Sequence, residues 1–466
     1  MAYQSINPYT GETLASYQEL TDEQLEAKLA KAYETYQSWR TTSFSERTRL
    51  LNSAIALFKE RRSELAKINT VETGKLFMEA AWEIDVVVAI FDYYARNAEQ
   101  LLQPKIYKSE DPTFGDAVCL YQPQGIVYEV EPWNVPFFQM ARPMAAQIMA
   151  GNTVVLKHAH NVPQCALAME KLMLDAGAPE GLFTNMFISY DQSAKVIADP
   201  RVCGVTITGS TSAGKLVGEE AGTAVKKVVL ELGGCDPMMV LEDADLQTAI
   251  NGAMLGRMTL SGQACTGDKR MIVHESLYDA FKQGVTDAIN ALVPGDPLLP
   301  DTTLAPVCSV QAAEKVRQQI ATAVAHGAKA ETVGKPVPAD IKSFVQPTIL
   351  TNVLPDNPLF GEEIFGPVLT LYSYSDEAEA IKLANNTPYG LAASVYSKDA
   401  KHAFSVAQQI EAGMITINQP SMPTPSVPFG GTKESGHGRE LGREGIIEFT
   451  SQKFVNSGSF DLTKQI

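Results

Sequence analysis

Gly125–Ile126–Val127–Tyr128–Glu129–Val130–Glu131–Pro132–Trp133–Asn134–Val135–Pro136 decides how this chain is read. Ile126, Val127, Tyr128 and Val130 favour extended backbone, and Pro132 stops the run because it has no N–H to give a strand ladder. The run reads as a strand, and the two prolines hold a loop after it, so Asn134 stands just past a strand's C-terminal end. The same punctuation recurs downstream. Thr153–Lys157 reads as a buried strand and about Pro163 to Ala176 as a helix, with a short strand near Leu182–Ile188. Val202–Thr208 reads as a strand followed by a Gly/Ser turn and a helix, and Lys227–Leu232 as a further strand. Upstream, residues 21–40 read as an amphipathic helix. Thr21 with Gln24 makes a capping box, and Leu25, Leu29, Ala32, Tyr33 and Tyr36 recur at helical spacing. Alternating strands and helices predict a doubly wound parallel α/β sheet with a ligand at the strand C-termini. A second α/β region runs from about Gly234 to Lys433, and the polar tail beyond it reads as an arm.

At 466 residues the chain is long enough for two or three domains, and 45% hydrophobic with 20% charged residues is ordinary for a globular protein with a large core. The net charge of −16 argues against a nucleic-acid partner, which needs a basic patch, and reads as a solubility feature. The six cysteines are scattered, with no C-x-x-C pair and no Cys/His cluster at zinc spacing, so a metal is not expected and a reducing compartment is. Met1–Ala2–Tyr3–Gln4–Ser5 carries no basic or apolar signal, and no apolar stretch approaches the ~20 residues of a membrane span. The expectation is a cytoplasmic protein without a membrane partner.

The chemistry centres on Ser261–Gly262–Gln263–Ala264–Cys265–Thr266–Gly267–Asp268–Lys269. Small residues on both sides of Cys265 give the access that a nucleophilic thiol needs, whereas most cysteines are inert apolar side chains. Glu231 ends the apolar run Val228–Val229–Leu230 and precedes Gly233 and Gly234. A partly desolvated carboxylate there has a raised pKa and suits a general base, though a salt-bridged glutamate fits the same pattern. Asn134 offers a neutral donor for a developing oxyanion, or is a turn residue. A thiol, a carboxylate and a carboxamide are the parts for covalent oxidation of an aldehyde. Thr208–Gly209–Ser210–Thr211–Ser212–Ala213–Gly214 is a strand-to-helix turn suited to a phosphate, or a plain tight turn, and is not G-x-G-x-x-G.

Together these stretches resemble the aldehyde dehydrogenase superfamily over nearly the whole chain. The resemblance runs from Asn7–Pro8–Tyr9–Thr10–Gly11–Glu12 through Glu131–Pro132–Trp133–Asn134, Leu156–Lys157, Thr208–Gly209–Ser210, Glu231–Leu232–Gly233–Gly234 and Gly262–Gln263–Ala264–Cys265. It continues at Glu362–Glu363–Ile364–Phe365–Gly366–Pro367 and Pro428–Phe429–Gly430–Gly431. It implies an aldehyde dehydrogenase-like fold: two doubly wound parallel-sheet domains, a Rossmann-like cofactor domain and a catalytic domain, plus a β oligomerisation arm. The NAD(P)-binding domain would take residues 1–104 and 126–233, the catalytic domain 234–433, and the arm 105–125 and 434–466, in a homodimer or homotetramer. By motif position, Cys265 would attack the aldehyde, Asn134 and the Cys265 N–H would hold the oxyanion, and Glu231 would activate the hydrolytic water. Lys157 would meet the adenine ribose and Ser210 the pyrophosphate, with Trp133, Gly209, Leu232 and Gly233 lining the cofactor path. Glu363 and Phe365 would position the nicotinamide ribose and ring.

Two departures from the family pattern bear on function. NAD-preferring members often carry a glutamate where this chain has His160; without that carboxylate the expectation is NADP preference, with NAD possible. Leu260 stands where relatives usually have asparagine, which bears on the shape of the cysteine loop. Arg142 resembles an arginine that binds the substrate carboxylate in succinate-semialdehyde dehydrogenases, and a guanidinium can hold a carboxylate through two hydrogen bonds. Thr424 would assist it. Larger members of that subgroup have a second arginine where this chain has Thr259, and Arg257 lies two residues before it. The small-molecule substrate implied is succinate semialdehyde. A broad-specificity medium-chain aldehyde dehydrogenase, a CoA-acylating dehydrogenase and a non-catalytic protein retaining the fold are the alternatives.

Overall fold

The computed structural model describes residues 3–111, 113, 115–458 and 460–465. Ile126–Glu131 lies at the centre of a six-stranded sheet. Its strands lie in the order Gly436–His437, Lys227–Glu231, Val202–Thr208, Ile126–Glu131, Thr153–His158, Phe183–Asn185. All run parallel except Gly436–His437, which pairs antiparallel with Lys227–Glu231. From Ile126–Glu131 the chain winds one way through Thr153–His158 and later the other way through Val202–Thr208. That reversal makes a switch point, where a crevice opens at the strands' carboxyl ends. Alternate residues of one strand face opposite layers. Val154 and Leu156 pack toward helices Phe44–Glu60, Phe77–Leu101, Pro136–Ala150 and Pro163–Asp175. Val155 packs with Ile126, Val205 and Leu230 toward Asp22–Trp39, Tyr190–Ala198 and Thr211–Thr223.

The second sheet has seven strands in the order Lys329–Thr332, Thr348–Thr351, Val368–Tyr374, Arg270–His274, Pro237–Val240, Ala392–Tyr396, Met414–Ile417. Only the pairing of Lys329–Thr332 with Thr348–Thr351 is antiparallel. Met238 and Val240 pack on one face and Met239 and Leu241 on the other, so this sheet is also covered on both sides. A separate antiparallel sheet joins Thr450–Asn456, Ala117–Pro123 and Lys105–Tyr107.

The helix expected at residues 21–40 spans Asp22–Trp39, and both hydrogen bonds of the Thr21/Gln24 capping box form. Tyr33, counted with its apolar stripe, is instead exposed. Pro136 is not a loop residue: it is the first residue of helix Pro136–Ala150, where its missing N–H costs nothing. The tail also departs from a simple arm. Gly436–His437 returns to the cofactor sheet, and Gly442–Glu448 is a helix with Gly445 and Ile446 buried. Only Thr450–Asn456 joins the three-stranded sheet.

Candidate active site

Two cavities reach Cys265 from different sides. The larger, about 300 Å³, follows the carboxyl ends of the parallel strands and is lined by Trp133, Asn134, Gly209, Ser210, Leu232, Gly233, Glu363 and Phe365 among others. The smaller, about 90 Å³, is lined mainly by Trp82, Val86, Phe138, Leu255, Leu260, Met422 and Phe429. Cys265, Asn134 and Gln139 line both. A thiol at such a junction can touch one ligand in each cavity at the same time.

The loop that carries Cys265 is held in unusual backbone. Leu260 and Ser261 sit in left-handed geometry, at φ 56° and 52°, followed by Gly262 at φ 77°. Left-handed backbone is common for asparagine and uncommon for leucine, so Leu260 departs from the family pattern at a strained position. Neighbouring groups hold it there. Leu260 N–H donates to Glu79 Oε1 at 2.7 Å, Ser261 Oγ to the Ala305 carbonyl at 2.7 Å, and Gln263 Nε2 to the Leu260 carbonyl at 3.0 Å. A side chain at Gly262 would collide with the Gly366 carbonyl.

Asn134 is positioned from the opposite wall. Glu83 accepts the N–H groups of Phe137 and Phe138 at 2.7 and 3.1 Å, which caps the first turn of helix Pro136–Ala150. Its other oxygen takes Lys75 at 2.5 Å and Asn69 at 2.8 Å. Asn134 Nδ2 donates to the Gln263 carbonyl at 3.0 Å, and its Oδ1 accepts Gln139 Nε2 at 3.3 Å. The carboxamide is therefore aimed at the cysteine loop with a second N–H to spare. Burial pushes the Cys265 thiol up to about 11, opposed by the charges of Lys269 and Arg142.

Glu231 ends its strand fully buried, and neither carboxylate oxygen has a hydrogen-bond partner among the described residues. Burial raises its pKa well above the usual carboxylate range; Arg142 opposes this and Glu440 adds to it. It lies against Gly430, where an added Cβ would come within 2.6 Å of Oε1, and it is not on the wall of either cavity.

The cofactor-side residues fit a dinucleotide. Ser210 caps helix Thr211–Thr223 at the switch-point crevice, and helix N-termini favour phosphate. A Cβ at Gly233 would come within 2.5 Å of Glu363 Oε2, so glycine keeps that carboxylate reachable. Lys157 and His160 lie outside the two cavities, at the end of strand Thr153–His158. Lys157 Nζ sits 5.0 Å from the Tyr190 ring centre, and the His160 ring lies 4.6 Å from that of Tyr3. Burial lowers Lys157 to about 8 and His160 to about 4, so at neutral pH His160 is uncharged and Lys157 supplies the positive charge.

Three residues expected to bind substrate lie off the walls of both cavities. Arg142 is fully buried, donates through Nε to Glu440 and through Nη2 to Thr208 Oγ1 at 2.7 Å, and lines neither cavity. Arg257 is also fully buried. It donates to the carbonyls of Val368, Gly262 and Ile364 at 2.7, 3.1 and 2.7 Å, which makes it a staple beneath the cysteine loop. Thr424 is exposed; its neighbours Ser421, Met422 and Pro423 line the smaller cavity in its place. Sequence reasoning missed Gln139, helix Val310–Ala325 with Lys315 and Gln319 on the cofactor cavity, and Lys269 beneath the loop. Gln139 lies five residues after Asn134, in the first turn of helix Pro136–Ala150.

Among the described residues no helix is long and apolar enough to cross a membrane, and no group of three or more His, Cys, Asp or Glu could hold a metal ion. Residues 1–455 match the sequence model of the aldehyde dehydrogenase family. The chain is 42% identical over 455 residues to the succinate-semialdehyde dehydrogenase [NADP(+)] of Deinococcus radiodurans, covering 98% of this chain and 94% of the relative. It is 39% identical to the probable succinate-semialdehyde dehydrogenase [NADP(+)] of Synechocystis, over 98% and 99% of the two chains. The solved structure of succinic semialdehyde dehydrogenase from Streptococcus pyogenes with NADP+ superposes at a TM-score of 0.95 with 42% identity, covering 97% and 99%. The chain has the aldehyde dehydrogenase fold and belongs to the aldehyde dehydrogenase family.

Proposed function

We propose that this protein oxidises succinate semialdehyde to succinate with NADP. The observation that carries the reaction is the position of Cys265 where the two cavities meet, beside Asn134. Cys265 loses its proton to solvent and attacks the aldehyde carbonyl as the thiolate, and the free Asn134 N–H and the Cys265 N–H receive the oxyanion. A bound nicotinamide would supply the acceptor for the hydride that leaves the resulting tetrahedral carbon. Collapse leaves a thioester on Cys265. Glu231 takes a proton from the water that hydrolyses it, and its burial makes it a stronger base than an ordinary carboxylate. Glu363 and Phe365 would hold the nicotinamide half, Ser210 the pyrophosphate, and Lys157 the adenosine ribose with its 2′-phosphate.

The named activities of the relatives support the substrate and the cofactor. One observation favours a second reading, a neutral medium-chain aldehyde: among the described residues the smaller cavity has no basic side chain on its wall, and its acid is Glu83. Ser421, Thr259 and Thr266 are the polar groups left for a carboxylate. Comparing kcat/KM for succinate semialdehyde and butanal, each with NADP and NAD, separates the readings. A preference for the acidic substrate with NADP supports the first, and equal or better use of butanal supports the second. We also place the protein in the cytoplasm, supported by six unpaired cysteines. A homodimer or homotetramer is supported by the three-stranded sheet, whose edge strand Thr450–Asn456 exposes Phe454.

A further inference from the structure

We propose that Lys269 is a positioning residue that ties the cysteine loop to the cofactor carboxylate Glu363 and supplies the fixed positive charge beneath Cys265. Its Nζ lies 2.9 Å from the Ala264 carbonyl, 2.6 Å from that of Cys265 and 3.3 Å from that of Gly267. The same ammonium is 3.2 Å from Glu363 Oε1. Three N–H donors thus serve four oxygens, three on the loop and one on the cofactor cavity, with Lys269 only 3% exposed. Its backbone is fixed by two strands: Lys269 N–H donates to the Asp236 carbonyl at 3.0 Å, and its own carbonyl accepts Thr370 N–H at 3.2 Å. Glu363 Oε1 also takes Gly234 N–H at 3.2 Å, which leaves Oε2 for ribose hydroxyls. No other described cation makes this link. Arg257 serves carbonyls alone, and Arg142 gives Nε to Glu440 and Nη2 to Thr208, with Nη1 lacking a partner among the described residues.

Two consequences follow for the reaction proposed above, on which this inference rests. The loop is held by its carbonyls, so the N–H of Cys265 keeps its direction while the thiol is attacked or released. The ammonium also opposes the burial that disfavours the thiolate. The charged and titratable groups facing Cys265 are Lys269 on its own loop, Arg142 from helix Pro136–Ala150, Glu363 from the opposite loop and Asp236 ahead of strand Pro237–Val240. Burial pushes Asp236 up to about 8, and Lys269 opposes that. Removing Lys269 keeps Asp236 neutral over more of the range, which cannot push the thiol up. An upward shift therefore reports the lost ammonium.

The test is the rate of iodoacetamide modification of Cys265 in the full-length protein, followed by peptide mass across neutral to alkaline pH, together with KM for NADP. Lys269→Met is expected to move the midpoint up by about one pH unit, so that modification at a fixed pH below it slows about tenfold, and to raise KM for NADP. Lys269→Arg keeps the charge and is expected to restore the midpoint. A Lys269→Met protein with the original midpoint and KM overturns the proposal. Lys269→Gln serves if Lys269→Met does not fold: the midpoint is again expected to rise, and an unchanged midpoint overturns the proposal. Failure of the unmodified protein to oxidise any aldehyde would sink the proposed function without touching these profiles.

Discussion

Arg142 donates to Glu440 with neither side chain open to solvent, and the two stand 298 residues apart in the chain. This pair binds helix Pro136–Ala150 to the returning C-terminal segment. It draws the guanidinium that sequence similarity points toward the substrate away from the walls of both cavities, with Nη1 lacking a partner among the described residues. Removing one member of a buried ion pair leaves an unpaired charge and costs about 3–5 kcal/mol. Glu440→Ala is expected to lose stability on that scale by denaturant unfolding. Arg142→Met is expected to lower kcat/KM for butanal and succinate semialdehyde by the same factor. A loss confined to succinate semialdehyde would put Arg142 on the substrate.

Gly262 is the hinge of the strained cysteine loop. Gly262→Ala adds a Cβ at φ 77° against the Gly366 carbonyl. Relief of that clash moves the loop that carries Cys265, and displacements of about 1 Å at a reacting group cost about a hundredfold. The expected result is a loss of kcat/KM of that order, with binding of NADP, measured by fluorescence quenching, reduced far less. Unchanged kcat/KM would show that the loop geometry does not matter.

Lys157, in the role proposed for it, is expected to make NADP binding depend on pH. Burial depresses its pKa to about 8, so the charged form is present below that pH and is lost above it. Binding of the 2′-phosphate favours the charged form. The dissociation constant for NADP is therefore expected to rise as pH passes upward through about 8, while that for NAD changes less. His160, lowered to about 4, stays neutral throughout and adds no slope. Calorimetric titrations on both sides of that pH decide it, and equal slopes for the two cofactors would contradict it.

Glu231 has a raised pKa because it is buried without a hydrogen-bond partner among the described residues. A base with a raised pKa becomes ionised only as pH rises. Hydrolysis of the thioester, measured as the steady rate after the first turnover, is expected to increase with pH well above the usual carboxylate range. A rate already flat from mildly acidic pH upward would remove Glu231 from that step.

Much of this architecture is legible in local sequence. Pro132, Gly209 and Gly233 each follow an apolar run, and each marks the carboxyl end of a parallel strand on the larger cavity. The Thr21 capping box forms because all its atoms lie within one turn of helix. What could not be read depends on partners far along the chain. Nothing near Arg142 announces Glu440, and nothing near Arg257 announces the carbonyls of Ile364 and Val368. An arginine facing substrate and one buried in a pair look alike in sequence, because burial of a charge is decided by the partner. Lys269 reads as an ordinary polar residue after a cysteine motif until the fold brings Glu363 beside it.

In the proposed reaction Cys265 carries the acyl group and Glu231 releases it. Rapid mixing of Glu231→Gln with NADP and succinate semialdehyde, followed by absorbance of the reduced cofactor, tests it most directly. The expected result is a burst matching the enzyme concentration, then slow turnover, and no burst from Cys265→Ala. A burst that survives in Cys265→Ala, or full steady turnover in Glu231→Gln, would contradict it.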